Sequence, residues 1–450
     1  MTSIDVLIFV LYFSFFLIVG FILKTKNKNK PFYKKYFFKA LVVKLLGGTA
    51  FAMVYTFYYT YGGDTKSYFE DAHQLCTIFY DTPLQAFKIF FGNFTDLQGE
   101  ASNYFERTNF NAGTSEFFLV RILFIANIFC MNNYFSSTLF FSFFSFLGVW
   151  KLFLVFANRY PAIHSEMAIS ILFIPSVFFW GSGIMKDCVV IGALGYFIFY
   201  LDKILNKKGN LPQNLLLVFF SAFMIYNIKV YVIMSISSSI ILMLAMRLRE
   251  KIRNVYIRFL FLPIVITISL YTIGYALEEF GKFNPKYKVE NLLNTATGMQ
   301  SWHGSMGIQG SSDDGRGSSY SLGDYEPTFG GILAKFPAAV NVTLFRPYLW
   351  ETKNIVMVAA ALESSLILIY SIYIFLGLNF FRVIKIVKDD TYIIFCLTFS
   401  LFFAFFVGFS SYNFGALVRY KTPCIPFYLI ALFVLQYKVF EMKSKIKNSR

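Results

Sequence analysis

Several short stretches of this chain put ionisable residues at the ends of apolar runs, where charge is costly enough that each marks a place for chemistry. They are Gly62-Gly63-Asp64, Lys186-Asp187, Lys229 with Tyr231, Arg346 with Glu351, and Arg419-Tyr420-Lys421. Asp64, with Asp187 and Glu351 as substitutes, is the type of group that takes a proton from an attacking hydroxyl. Arg346, Arg419, Lys186 and Lys229 are cations able to hold a phosphate and to stabilise charge growing on a leaving diphosphate. Each group has a plainer role open to it. Gly62-Gly63-Asp64 can be a helix-ending turn, Lys186-Asp187 a capping ion pair, and Arg346 and Lys353 with Glu351 interfacial anchors. Glu363, inside an apolar run, reads as a helix-packing partner. Asp64 has no second Asp at a DxD spacing, so neither a metal nor another cofactor is expected.

The elements that must position these groups follow from composition. Of 450 residues, 57% are hydrophobic, 21% aromatic and only 15% charged, which excludes a water-soluble globule. The long runs are apolar on every side, so they read as spanning helices rather than alternating barrel strands. The expected fold is an all-α polytopic bundle of about 11 spans, a single integral membrane domain over 1–450. The formal charge of +16 does not call for nucleic acid, because the basic residues cluster beside spans, at 24–39, 202–213, 247–258, 382–390 and 437–450. That is the positive-inside pattern.

Treating each basic loop as cytoplasmic sets the topology. Spans at 4–23 and 40–61 lead to an acidic outer segment. The first is read as a retained span with its N-terminus outside, because it lacks a basic n-region and a small-residue cleavage site. The first outer loop, 62–133, carries Asp64, Glu70, Asp71, Asp81, Asp96, Glu100, Glu106 and Glu116 in its first part, and ends in a juxtamembrane helix over 117–131. Spans follow at 134–156, 168–185 and 187–201, then two within 214–246 that turn near 226–231, then 259–277, 354–381, 391–411 and 424–437. The C-terminus falls inside. The second outer loop, 278–353, has nine Gly and seven Ser between Gly298 and Gly331 and reads as a mobile lid or a plain connector. All the candidate groups then converge on one outer mouth. The five cysteines show no CxxC and imply neither a disulfide framework nor a zinc site.

The stretches GGDTKSYFEDA (62–72), PSVFFWGSGIMKD (175–187), LFRPYLWETKNIVMVAAALE (344–363) and VRYKTPCIPF (418–427), in that order, resemble bacterial polysaccharide-assembly membrane proteins. These are the O-antigen polymerase-like proteins and the GT-C class of glycosyltransferases. The resemblance implies an enzyme of the cytoplasmic (inner) membrane acting at its outer face on a polyprenyl-phosphate-linked saccharide, among membrane lipid and other polysaccharide-assembly proteins. It implies that Asp64 is the general base and that Arg346 and Arg419 hold the lipid phosphate. Where such proteins often have Arg-Pro-Tyr, this chain has Lys229-Val230-Tyr231, which keeps the charge and loses the bidentate fork. Their Lys-Glu pair is here Lys186-Asp187. A loop histidine used by O-antigen ligases would be matched by His303, and Tyr68, Trp302, Tyr320 and Trp350 offer faces to sugar rings. The competing readings are a transporter or flippase of a lipid-linked saccharide, which calls for repeated halves and matching broken helices, and a non-catalytic assembly subunit.

Overall fold

The computed structural model describes residues 3–59, 63–261, 263, 264, 267, 319–323, 329–377 and 380–448. Among the described residues the chain is helical, with no strand and one isolated bridge, Ser319 to Asn413. Eight helices among the described residues are long and apolar enough to cross a bilayer, or ten if each of two bent pairs is one span. The all-α polytopic architecture expected from composition is therefore what forms, and the protein is a multi-pass membrane protein. The expected span at 259–277 lies mostly outside the described residues, as do Trp302 and His303. The chain falls into two compact units, Met1–Val230 and Tyr231–Arg450.

Unit 1 contains α1 (Ser3–Lys26), α2 (Tyr33–Tyr58), α3 (Gly63–Asp81), α4 (Pro83–Phe91), α5 (Tyr104–Arg107), α6 (Ser115–Phe129), α7 (Tyr134–Arg159), the bent pair α8 (Pro161–Leu172) and α9 (Pro175–Ser182), α10 (Lys186–Leu205) and α11 (Leu211–Ile228). The region 62–133 is thus mostly helix and not a soft loop. Capping residues supply the starts: Thr114, Asn133 and Asn210 each accept a backbone N–H from the first turn of α6, α7 and α11. At about 1.5 Å per residue α6 is too short to span, as expected of the 117–131 run.

Contacts fix which helix ends share a side of unit 1. Asn133 donates to Asp5 at 3.0 Å, and Phe9 and Phe16 pack on Phe135 and Phe143, so α1 and α7 run parallel from the same side. Tyr36 meets His164 at 2.7 Å, placing the start of α2 beside the end of α7. The basic ends of α1 (Lys24, Lys26), α7 (Arg159) and α10 (Lys203) all lie at that far side, where cations also complement helix C-termini.

One span differs from expectation. The sequence predicts a continuous helix over 168–185, whereas the structure bends it by 54° between α8 and α9. Ile174, preceding Pro175, is extended at φ −68°, ψ 128°, because the proline ring disfavours a helical predecessor. A break within a membrane frees carbonyls that lipid cannot satisfy. Here Lys44 donates to the Val177 carbonyl at 3.0 Å, Ser145 to Gly181 at 2.9 Å, and Ser142 to Ser182 at 2.6 Å.

α7 and α10 approach through glycine. A Cβ built on Gly148 falls 2.0 Å from the Gly192 carbonyl oxygen, and one on Gly195 falls 2.0 Å from the Gly148 oxygen. Small residues of this kind let membrane helices pack backbone to backbone. Gly148→Ala is therefore expected to cost about 1–3 kcal/mol, read as a lowered unfolding temperature in detergent. Gly377→Ala, where a Cβ meets nothing within 4 Å, should leave that temperature unchanged.

Unit 2 holds the body of the helix Val230–Lys251, the short helices Phe329–Ala334 and Phe336–Phe345, the spans Ile355–Gly377 and Thr391–Ser411, the helix Phe380–Asp389, and a pair bent by 61°, Phe414–Tyr420 with Ile425–Glu441. The C-terminal part of the expected loop 278–353 is thus helix. Phe336–Phe345 packs closely on Thr391–Ser411, where Gly408 leaves room for the Ala339 carbonyl and Thr343 donates to the Ala404 carbonyl at 2.7 Å. Arg247 to Thr391 and Lys438 to Asp390, at 3.1 and 2.7 Å, tie one end of the unit together.

Candidate functional site

At the side of unit 1 where α1 and α7 begin, the structure gathers Asp64, Lys186, Asp187 and Lys229. α3 starts there because Thr65 meets the Tyr134 hydroxyl at 3.1 Å and Lys66 lies 4.6 Å from the Tyr134 ring centre. Asp64 stands in the first turn of α3, exposed, after Gly63 at φ +58°. Its position is a helix start and not the helix end that the plain reading allows, and an acid there favours the helix.

Lys186, Asp187 and Lys229 each form an ion pair. Lys186 forms an ion pair with Glu116 and donates to Ser115 at 3.0 Å, both from the first turn of α6. Burial pushes the Glu116 carboxyl up, but its bonds to Lys186 and that residue's charge outweigh it and hold it below the ordinary value. Asp187, 1% exposed, pairs with Lys229, 8% exposed, at 2.5 Å. Both side chains are enclosed, and each is the other's counter-ion. Glu116 is a partner that sequence reasoning passed over, because it was one of many acids in the outer segment. Lys44 was passed over too, although a lone lysine within the second span was a legible signal.

The site of unit 2 centres on Arg346, at the C-cap of Phe336–Phe345. Its Nε donates to both oxygens of Glu351, at 3.1 and 3.0 Å, and Nη2 also donates to that carboxylate. Glu351 accepts in addition the Tyr348 N–H at 2.8 Å. The guanidinium lies 4.9, 5.8 and 5.9 Å from the ring centres of Phe414, Tyr348 and Tyr320. Tyr320 is itself pinned, its N–H donating to the Tyr412 carbonyl and its hydroxyl to the Gly408 carbonyl. So 319–323, within the segment expected to be a mobile lid, is anchored to the unit, while most of that segment lies outside the described residues. Guanidinium carries five N–H donors, and among the described residues those on Nη1 meet no acceptor.

Lys421, buried at the break of the bent pair, donates to the Arg346 carbonyl at 2.9 Å and to Ser364 at 2.6 Å. It fixes the backbone that carries Arg346. Arg419, half-buried, lies five residues beyond Phe414 on the helix Phe414–Tyr420, about 7.5 Å along its axis. The structure thus brings Arg346, Glu351 and Lys421 together in unit 2, while Arg419, two residues before Lys421, lies against the Tyr420 ring.

Burial raises the Glu351 carboxyl, but the Arg346 bonds, the Tyr348 amide and the Arg346 charge bring it below its ordinary value of 4.5. A carboxyl depressed on folding contributes stability that is complete above its unfolded value and lost as pH falls through the folded one. Below about pH 4.5, wild-type protein should therefore lose thermal stability more steeply than Glu351→Gln, which can be followed by unfolding in detergent across pH 3–6. Equal acid sensitivity would contradict this role for Glu351.

No protein-family model, curated protein or solved structure matches this chain. The functional reading rests on the residues and their geometry.

Proposed function

We propose that the protein is a membrane glycosyltransferase or polysaccharide polymerase. It uses a polyprenyl-(di)phosphate-linked saccharide at the outer face of the cytoplasmic membrane, with the N-terminus outside and the C-terminus inside. The observation that supports this most is Arg346, oriented along one edge by Glu351 while its Nη1 edge has no acceptor among the described residues. That is how a site holds an arginine ready for a phosphate oxygen. Arg346 and Arg419 take the phosphate role, and Lys421 positions the Arg346 backbone.

In the reaction the acceptor hydroxyl oxygen attacks the anomeric carbon, the bond from that carbon to the diphosphate oxygen breaks, and the hydroxyl proton passes to a carboxylate. The sequence resemblance assigns that last role to Asp64, which is exposed in the first turn of α3. Asp64→Asn keeps shape and helix-start hydrogen bonding but cannot accept the proton, so lipid-linked donor should accumulate in cells while the protein stays abundant. Wild-type saccharide output from that variant would leave Asp64 a structural residue.

A second reading, a flippase for the same class of lipid, is favoured by one observation. Among the described residues each unit contains one broken helix pair, Pro161–Ser182 and Phe414–Glu441, and each break has a buried lysine, Lys44 or Lys421, bonded to a carbonyl. Broken helices in both halves are what transporters use. The two pairs hold different places in helix order, the first followed by α10 and α11 and the second last in its unit, so the repeat that reading needs does not emerge from them.

A further inference from the structure

We propose that α4, the end of α3 and the end of α6 form a wedge seated in bilayer hydrocarbon, in the leaflet that surrounds the N-terminal half of α1, with lipid acyl chains as its partner. The segment belongs to the region that composition assigns to the aqueous outer face, so the inference concerns a lipid-contact surface separate from the site above.

The depth follows from α1. Its apolar stretch begins at Ile4, and Tyr12 lies eight residues on, about 12 Å further along the axis. The Tyr12 hydroxyl donates to the carbonyl of Phe129, at the C-terminal end of α6. A helical side chain leans back toward its N-terminus, yet the bond still falls below the level of Asp5, which Asn133 marks as the start of α7. The chain therefore descends along α6 to Phe129 and climbs back to Asn133, turning through Met131 and Asn132 with left-handed backbone, φ 52° at each. Cys76 donates to the Phe124 carbonyl at 3.7 Å and Phe79 meets the Phe124 ring, so the end of α3 runs beside the second half of α6.

The surface of this region is apolar apart from the α3–α4 junction, where Asp81 and Thr82 are exposed as a polar edge. Tyr80, Leu84, Phe87, Phe91, Phe129 and Met131 are all exposed, Leu84 at 72% and Phe91 at 77%. On α4, residues 84, 87 and 91 fall on one helical face, and the opposite positions Ala86 and Ile89 are buried. Phe79, edge-on, and Phe90, tilted, pack against the Phe124 ring of α6 at 5.7 and 5.8 Å, so α4 is held against α6 with its apolar face outward. Lys88 shares that outward side but reaches away to the Asp96 carbonyl at 3.4 Å, as a lysine at a membrane boundary does. A patch of this size facing water would be an aggregation hazard. Through the Tyr12 to Phe129 bond it continues the exposed apolar surface of α1, where Leu7, Leu11 and Phe15 also face outward, and that continuity selects lipid as the occupant.

The test is spin-label accessibility in the full-length protein in liposomes. Nitroxides are placed at Leu84→Cys and Phe91→Cys, with Phe15→Cys as the lipid reference and Lys28→Cys, in the basic loop, as the aqueous one. The five native cysteines are buried, and unsubstituted protein supplies the labelling background. Both wedge labels should match Phe15, relaxed by oxygen and shielded from a water-soluble nickel complex. Nickel access equal to that at Lys28 would overturn the proposal in favour of an aqueous surface. Shielding from both reagents would overturn it in favour of a protein neighbour or a second copy. Neither side chain fills the core, and the second label stands if one variant fails to fold.

Discussion

Lys229→Met is expected to destabilise the protein by about 3–5 kcal/mol, because it leaves the Asp187 carboxylate buried without its ammonium. The pair joins the first turn of α10 to the residue that ends α11, and both side chains are excluded from solvent. Asp187→Leu should cost a similar amount by stranding Lys229. The double variant should be more stable than either single one, since removing both charges removes both desolvation penalties. Thermal unfolding of detergent-purified protein decides this. If the double variant loses the sum of the two single losses, the pair is not the structural tie described here. A phosphate-binding role for Lys229 would instead lower activity at unchanged stability.

Arg346→Ala is expected to lower transfer about 10²–10³-fold while leaving abundance in the membrane intact. Its backbone carbonyl keeps the Lys421 bond, and a side chain at the site's surface leaves no core cavity when truncated. Arg346→Lys should recover part of the activity, because an ammonium keeps the charge and loses the planar fork. Glu351→Gln should fall between them, since an amide still accepts one bond from the guanidinium but no longer fixes it from both oxygens. Turnover and saturation by donor, measured separately, place the loss: a phosphate contact made mainly in the transition state lowers the rate constant. Full activity in Arg346→Ala would remove Arg346 from the mechanism.

The spans were legible because a run such as Ile4–Leu23 has no other stable solvent than lipid. The split of the apolar run 214–246 was legible in Lys229, a charge that no continuous span accommodates cheaply. The structure divides the chain there into Leu211–Ile228 and Val230–Lys251. The bends were half-legible. Pro175 and Pro423 stand in the sequence, but a bent span survives only if other helices satisfy its carbonyls, and Ser142, Ser145 and Lys44 lie 35 or more residues from the groups they bond. Pairings were the least legible part of the site. Arg346 and Glu351 are five residues apart and share a turn, so sequence placed them together. Nothing local signals that Glu116 meets Lys186 or that Asp187 meets Lys229, and those contacts decide which cations and acids are already spent on each other. The helices between 63 and 107 were missed for a different reason: the acids there drew attention to charge, whereas α3 is held by buried positions such as Tyr68, Ala72, Leu75 and Cys76 that recur at helical spacing.

Purified protein in liposomes, given a polyprenyl diphosphate-linked saccharide and an acceptor saccharide, offers the most direct measurement of the central claim. The account predicts an extended saccharide and an equal amount of polyprenyl diphosphate released, with both lowered about 10²–10³-fold by Arg346→Ala and strongly reduced by Asp64→Asn. Movement of the intact donor from one leaflet to the other, with neither product formed, would contradict glycosyl transfer and establish the flippase reading in its place.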